Sequence, residues 1–220
     1  KRQEIGCVKS EMCDLKSYES TTMKTDDFRV VYDDYENFLR YRGKIDFDDM
    51  LVFTYELLSQ RQDILDMWRN RFQYILIDEF QDINTIQYDT VKLLAKERNN
   101  IFAVGDDDQS IYGFRGAAPA IMKRFPKDFP GTKIEYLNMN YRCSYDVVEC
   151  SKRIIKNNTD RYDKNLQSAF APGESDRVHI VKVKDGTEQN RKIVDKIREL
   201  NSAGIPYSDI AVIFLSLIHI

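Results

Sequence analysis

Two adjacent carboxylates close the run Tyr74-Ile-Leu-Ile-Asp-Glu79. A short apolar run bounded by charges reads as a buried strand, which puts Asp78 and Glu79 at its C-terminal end. Neighbouring residues there can splay apart and divide two tasks. One carboxylate holds Mg2+, directly or through water. The other takes a proton from a water that attacks a γ-phosphate. This is the Walker B arrangement. A bare Asp-Glu pair is a weak signal, because helix-capping acids in a solvated turn use the same residues.

A second group is Val104-Gly-Asp-Asp-Asp-Gln-Ser-Ile-Tyr-Gly-Phe-Arg-Gly116. Three consecutive acids repel one another and call for a metal, a cation or solvent beside them. Gln109 carries a neutral amide able to orient a water or a phosphate oxygen. Tyr112, Phe114 and Arg115 set two rings and a cation among glycines, which suits stacking on unpaired bases with a backbone phosphate contact. Core aromatics on a short loop would look the same. The third group is Asn138-Met-Asn-Tyr-Arg-Cys-Ser144. Arg142, just ahead of a helix and offered by one domain to a site on another, can neutralise charge on a transferring phosphoryl group. The plain alternative is a surface arginine, which a helix N-terminus does not favour.

The elements that must position these groups follow from periodicity. Val30, Val31, Tyr35, Phe38 and Leu39 predict a helix over 25–42, and the first 24 residues show no clear period. Asp48 is expected to cap a helix with Met50, Phe53 and Leu57 on one face. Strand 74–77, a helix to residue 97 and strand 101–104 predict an α/β parallel sheet, whose ligands sit at strand C-termini. Further strands are expected over 133–137, 178–183 and 210–214. Helices are expected from Ser144 to residue 156, with Val147, Val148, Ile154 and Ile155 buried, and around Ile193, Ile197 and Leu200. Residues 157–176 read as a polar loop, and a domain boundary falls near residue 140.

The chain has 220 residues, 42% hydrophobic and 31% charged, enough to bury a core. Lys+Arg 33 against Asp+Glu 36 gives a net charge of −3, so a nucleic-acid site must be a local patch. The run 210–218 is far shorter than the ~20 residues of a membrane helix, and no signal-peptide pattern opens the chain. A membrane partner is therefore not expected. Cys7, Cys13, Cys143 and Cys150 form no C-x-x-C pair and only two histidines are present. They read as reduced thiols of a cytoplasmic protein rather than a zinc or disulfide framework.

Together, Asp-Glu-Phe-Gln-Asp (78–82), Gly-Asp-Asp-Asp-Gln-Ser-Ile-Tyr-Gly-Phe-Arg-Gly-Ala (105–117) and Asn-Tyr-Arg-Cys-Ser (140–144) resemble three ordered motifs of the UvrD/PcrA/Rep-type superfamily 1 DNA helicases. Asp46-Phe-Asp-Asp49 is similar to a segment of that family ahead of Walker B. The resemblance covers about residues 45–214. It implies P-loop NTPase (RecA-like) parallel-sheet motor domains with an N-terminal helical segment. The implied divisions are 1–44 (end of a helical accessory subdomain), 45–139 (back part of the first motor domain) and 140–214 (first part of the second). Residues 215–220 make an atypical apolar tail that matches nothing the resemblance leads one to expect.

By the same resemblance, Asp78 is the Mg2+ ligand, Glu79 the catalytic base and Gln109 the γ-phosphate sensor. Tyr141 stacks on adenine and Arg142 is the inter-domain finger. Tyr112, Phe114 and Arg115 face DNA, with Phe114 where the family usually has Trp. Gln81 and Asp82 belong to the signature without an assigned role. The implied cofactors are ATP and Mg2+, and the implied partners are single-stranded DNA and DNA junctions. No G-x-x-x-x-G-K-[ST] occurs and the chain starts at Lys1. The expectation is therefore the middle of a helicase, inactive by itself. A helicase–nuclease motor, a non-catalytic nucleic-acid-binding remnant and a nucleotide switch unrelated to DNA stay open as alternatives.

Overall fold

The computed structural model describes residues 2–95, 98–113, 118, 120–173 and 178–213. The chain forms two compact units. One comprises residues 1–138 and 153–166, the other residues 139–152 and 167–220.

The first unit opens with α1 (Arg2–Ser10), where no period is legible. Its Ile5 and Val8 close a small core with Phe28. In α2 (Thr25–Tyr41) the helical period is as expected but the buried face is not. Phe28 is buried in that core with Tyr32 and Tyr35 partly buried against it, while Val30 and Phe38 are exposed. Tyr35 is common to the expected and observed faces, and Phe28 and Tyr32 replace Val30 and Phe38 because Ile5 and Val8 of α1 lie on their side of the helix.

The cap of α3 (Phe47–Gln60) is Asp46, not Asp48. Asp49 N–H donates to Asp46 Oδ1 at 2.7 Å and Asp46 N–H donates to Asp49 Oδ2 at 3.0 Å. Such a reciprocal box needs an i, i+3 pair, which Asp48 cannot form with Asp46. Leu58 is the buried apolar residue of α3, whereas Met50, Phe53 and Leu57 are exposed. A helix that the sequence reading did not anticipate, α4 (Gln62–Arg71), follows and buries Leu65.

Next come β1 (Ile75–Ile77), α5 (Thr85–Ala95) and β2 (Ile101–Ala103). The strands pair in parallel, Ile75 opposite Ile101 and Ile77 opposite Ala103. These four residues pack on a core of Phe80, Ile83, Tyr88, Ala95, Ile121, Phe125 and Phe129. The strands are not buried on both sides: Leu76 is 73% and Phe102 61% exposed. Period 2 sends them to the opposite face, which no described element covers. α6 (Ala120–Asp128) supplies Ile121 and Phe125, with the Phe125 ring 5.3 Å edge-on from Phe80.

In the second unit β3 (Met139–Asn140) pairs in parallel with β4 (Gln167–Ser168). α7 (Tyr145–Ile155) buries Val148 but leaves Val147 and Ile154 exposed, and α8 (Gly186–Ser202) starts at the Asp185 cap. The strands expected over 133–137 and 178–183 are not formed, and residues 210–213 of the last one are not strand. Residue 214 and the tail 215–220 lie outside the described residues. Among the described residues these segments find no neighbouring ladder, and an unpaired strand has nothing to hold it. No described helix is long and apolar enough to cross a membrane.

Candidate functional site

The parallel ladder continues one step past both strands. Val104 N–H donates to Ile77 O at 2.8 Å and Phe80 N–H donates to Val104 O at 2.9 Å. Between these bonds Glu79 adopts φ +51°, the left-handed region. That conformation costs an ordinary residue roughly 1–2 kcal/mol. It reverses the chain into a 3-10 turn, Phe80–Asp82, whose Phe80 and Gln81 are buried. Asp78 and Glu79 are left exposed at the strand end. Asp78 Oδ1 accepts from Glu79 N–H at 2.9 Å. Its other oxygen has no partner among the described residues, so a hard oxygen donor is available to a divalent cation there.

Gln81, to which the sequence reading assigns no role, ties the two strand ends together. Its Nε2 donates to Glu79 Oε2 at 2.7 Å, and its Oε1 accepts from Asp106 N–H at 2.9 Å. Its carbonyl accepts from Ser110 Oγ at 3.3 Å. A carboxylate on one side and an N–H on the other admit one amide orientation. Gly105 makes the approach possible. A Cβ there would stand 2.8 Å from Gln81 Oε1 and 3.1 Å from the backbone nitrogens of Phe80 and Gln81.

Asp106 caps the 3-10 turn Asp107–Gln109, accepting from Asp108 N–H at 3.2 Å. Its Oδ2 accepts from Gln109 Nε2 at 2.7 Å. The cation that the acid triplet calls for is Lys164, 2.5 Å from Asp106, 2.5 Å from Asp107 and 2.8 Å from Asp108. Arg161 adds a two-pronged contact to Asp108 at 2.8 and 2.7 Å, and Tyr162 N–H donates to Asp107 at 2.7 Å. Carboxylate oxygens of the three aspartates lie within 4.8 Å of one another, a spacing a metal could use. Lys164 and Arg161 already offset two of those three charges.

The titration shifts follow. The hydrogen bonds from Arg161 hold Asp108 below the usual carboxylate range, against burial. Burial pushes Asp106 up, but Lys164 and Gln109 outweigh it and the net shift is downward. Lys164 is itself pushed down by burial and raised further by its three acids. Asp82 is the contrast: burial and nearby Glu79 raise it, and its buried Oδ1 has no partner among the described residues. Residues 157–166 read in sequence as plain loop, so Arg161 and Lys164 carried no local signal.

Asp78, Glu79 and Gln109 thus meet at one end of β1 and β2. Tyr112 is exposed, and Phe114 and Arg115 lie outside the described residues. Tyr141 and Arg142 belong to the second unit. There Asn140 Oδ1 accepts from the N–H groups of Arg142 (2.9 Å) and Cys143 (2.7 Å), and both Tyr141 and Arg142 are exposed.

Comparison with known proteins gives a consistent family. The model of the UvrD/REP helicase N-terminal domain matches residues 2–130, and that of the UvrD-like helicase C-terminal domain matches residues 136–216. YjcD of Bacillus subtilis (strain 168) is 40% identical over 187 residues, 84% of this chain and 24% of that protein. ATP-dependent DNA helicase PcrA of Staphylococcus epidermidis (strain ATCC 12228 / FDA PCI 1200) is 33% identical over 218 residues, 97% of this chain and 30% of that protein. PcrA of Staphylococcus aureus (strain NCTC 8325 / PS 47) matches over the same shares at the same identity. The chain therefore spans less than a third of the length of these curated relatives.

Proposed function

The chain belongs to the UvrD/REP helicase family, and from that premise we propose that the protein containing it is an ATP-dependent DNA helicase. It couples ATP hydrolysis to 3′-to-5′ movement on single-stranded DNA, works at DNA junctions in repair or replication, and acts in the cytoplasm. Its motor domains are RecA-like. The observation that carries this reading is the Gln81 bridge, which joins Glu79 to the backbone of the Asp106–Gln109 turn. Hydrolysis and its sensor are then coupled through two side chains, Gln81 and Asp106.

Asp78 is the residue that would hold Mg2+, and the bound ion would neutralise charge on the β- and γ-phosphates. Glu79, with Oε2 committed to Gln81, keeps Oε1 to accept the proton of the attacking water. Gln109 offers its amide oxygen and remaining N–H to that water and to the γ-phosphate. Tyr141 stacks on the adenine and Arg142 neutralises phosphoryl charge. Tyr112, Phe114 and Arg115 bind unpaired bases and backbone. The 220 residues alone hold no G-x-x-x-x-G-K-[ST] cradle for the triphosphate, so they neither hydrolyse ATP nor unwind DNA.

The test is ATP hydrolysis by the full-length protein with and without single-stranded DNA. DNA stimulates hydrolysis, and Glu79→Gln lowers kcat by about 100-fold or more. Hydrolysis indifferent to DNA would overturn the helicase reading in favour of a nucleotide switch.

A further inference from the structure

Asp106 is the branch point of the strand-end network. Its Oδ1 accepts from Lys164, and its Oδ2 accepts from Gln109. Its N–H reaches Gln81, and through Gln81 it reaches Glu79. An acceptor-only carboxylate forces the Gln109 amide to turn its nitrogen inward and its oxygen outward. Asp106 can hold that pose only while its own position is fixed. Beside Asp107 and Asp108 it is one of three like charges that would otherwise spread the turn.

Lys164 is fixed from several sides. The segment carrying it is held by Arg161 on Asp108, by Tyr162 N–H on Asp107, and by the Tyr162 hydroxyl donating to Met122 O at 2.9 Å. An ion pair joins Lys123 of α6 to Asp160. The Lys164 side chain is only 19% exposed. Resting on the ATPase reading of Gln109, we propose that Lys164 is a positioning residue for hydrolysis. Through Asp106 it holds the Gln109 amide in the orientation that meets water and phosphate. Arg161 supports it by anchoring the same segment to Asp108.

The experiment is a double-mutant cycle in the full-length protein, with kcat and KM for ATP measured at saturating single-stranded DNA. Lys164→Met is expected to lower kcat about ten- to one-hundredfold, the scale of a misplaced reacting group, with KM for ATP changed less than about twofold. Lys164→Arg restores part of the loss, since it keeps charge but offers a planar fork in place of a point charge. In a Gln109→Ala background, adding Lys164→Met changes kcat less than about twofold, because the group it acts through is gone.

Full additivity of the two losses overturns the proposal, as does wild-type kcat in folded Lys164→Met. A structural role alone would lower the melting temperature and leave kcat per folded molecule unchanged. If Lys164→Met does not fold, the cycle of Lys164→Arg with Gln109→Ala decides by the same criterion. Wild-type protein without DNA-stimulated hydrolysis would sink the helicase reading instead, so the two failures are distinct.

Discussion

Lys9 and Lys164 each face three carboxylates, yet their surroundings differ. Lys9 sits 2.5 Å from Glu36, 2.9 Å from Asp46 and 2.7 Å from Asp49, with 3% of its side chain exposed. Asp46 and Asp49 are also locked into the α3 capping box, and Tyr35 donates its hydroxyl to Asp46 at 2.9 Å. Hydrogen-bonding capacity there is turned inward, joining α1 to the start of α3. The Lys164 cluster is wetter, and one of its acceptors points to the exposed amide of Gln109. The same charge count therefore serves packing in one place and a working side chain in the other. What distinguishes them is the next partner in the chain of bonds.

The largest expected difference is in stability. Lys9→Met strands buried acids without a cation and should cost about 3–5 kcal/mol. Lys164→Met, with water nearer, should cost less, about 1–3 kcal/mol. Urea unfolding of the two variants compares them directly. Equal losses would show that burial does not separate the clusters.

Next in size is Gly105→Ala. Its Cβ would crowd two backbone nitrogens that cannot move independently. An overpacked site costs about 1–3 kcal/mol, and the Gln81 bridge should open with it. Thermal melting reads the first effect. The loss of slow amide exchange at Asp106 reads the second. An unchanged Asp106 amide would show that the strand ends are held by something other than Gln81.

The smallest effect concerns pH. Asp106 and Asp108 are depressed in the folded state, so their contribution is present above the ordinary carboxylate range and lost as pH falls below it. Asp82 has no cation beside it among the described residues and is raised, so it works in the opposite sense. The folded state binds its proton more tightly, and stability falls as pH rises through that window. Asp82→Asn should then gain ~0.5 kcal/mol near neutral pH and nothing in acid. Side-chain carboxyl titration by NMR gives the directions. A depressed Asp82 would remove the contrast.

Much of the site was legible because it is local. Asp78 and Glu79 end an apolar run, and the expected strand, helix, strand order of β1, α5 and β2 is present. Helix α2 showed its period, but not which face it buries. Phe28, rather than Val30 or Phe38, meets the core because α1 and the following turn lie on that side. The strands expected over 133–137 and 178–183 had β-prone residues but no described neighbour to pair with. Asp48 looked like a cap until the reciprocal spacing of Asp46 and Asp49 decided otherwise.

Residue types and short spacings set the chemistry on offer at the strand ends: a carboxylate pair, a glutamine amide and a triplet of acids in need of a cation. These depend on residue type and on spacings of a few positions, which backbone geometry converts directly into proximity. Which cation answers the acids, and which amide couples the strands, is set by the folding of distant segments onto one another. Lys164 lies 58 residues from Asp106, and Asp106 lies 25 residues from Gln81. Coulomb attraction and hydrogen bonding act over a few ångströms of space whatever the separation along the chain, so such partners become visible only once the chain has folded.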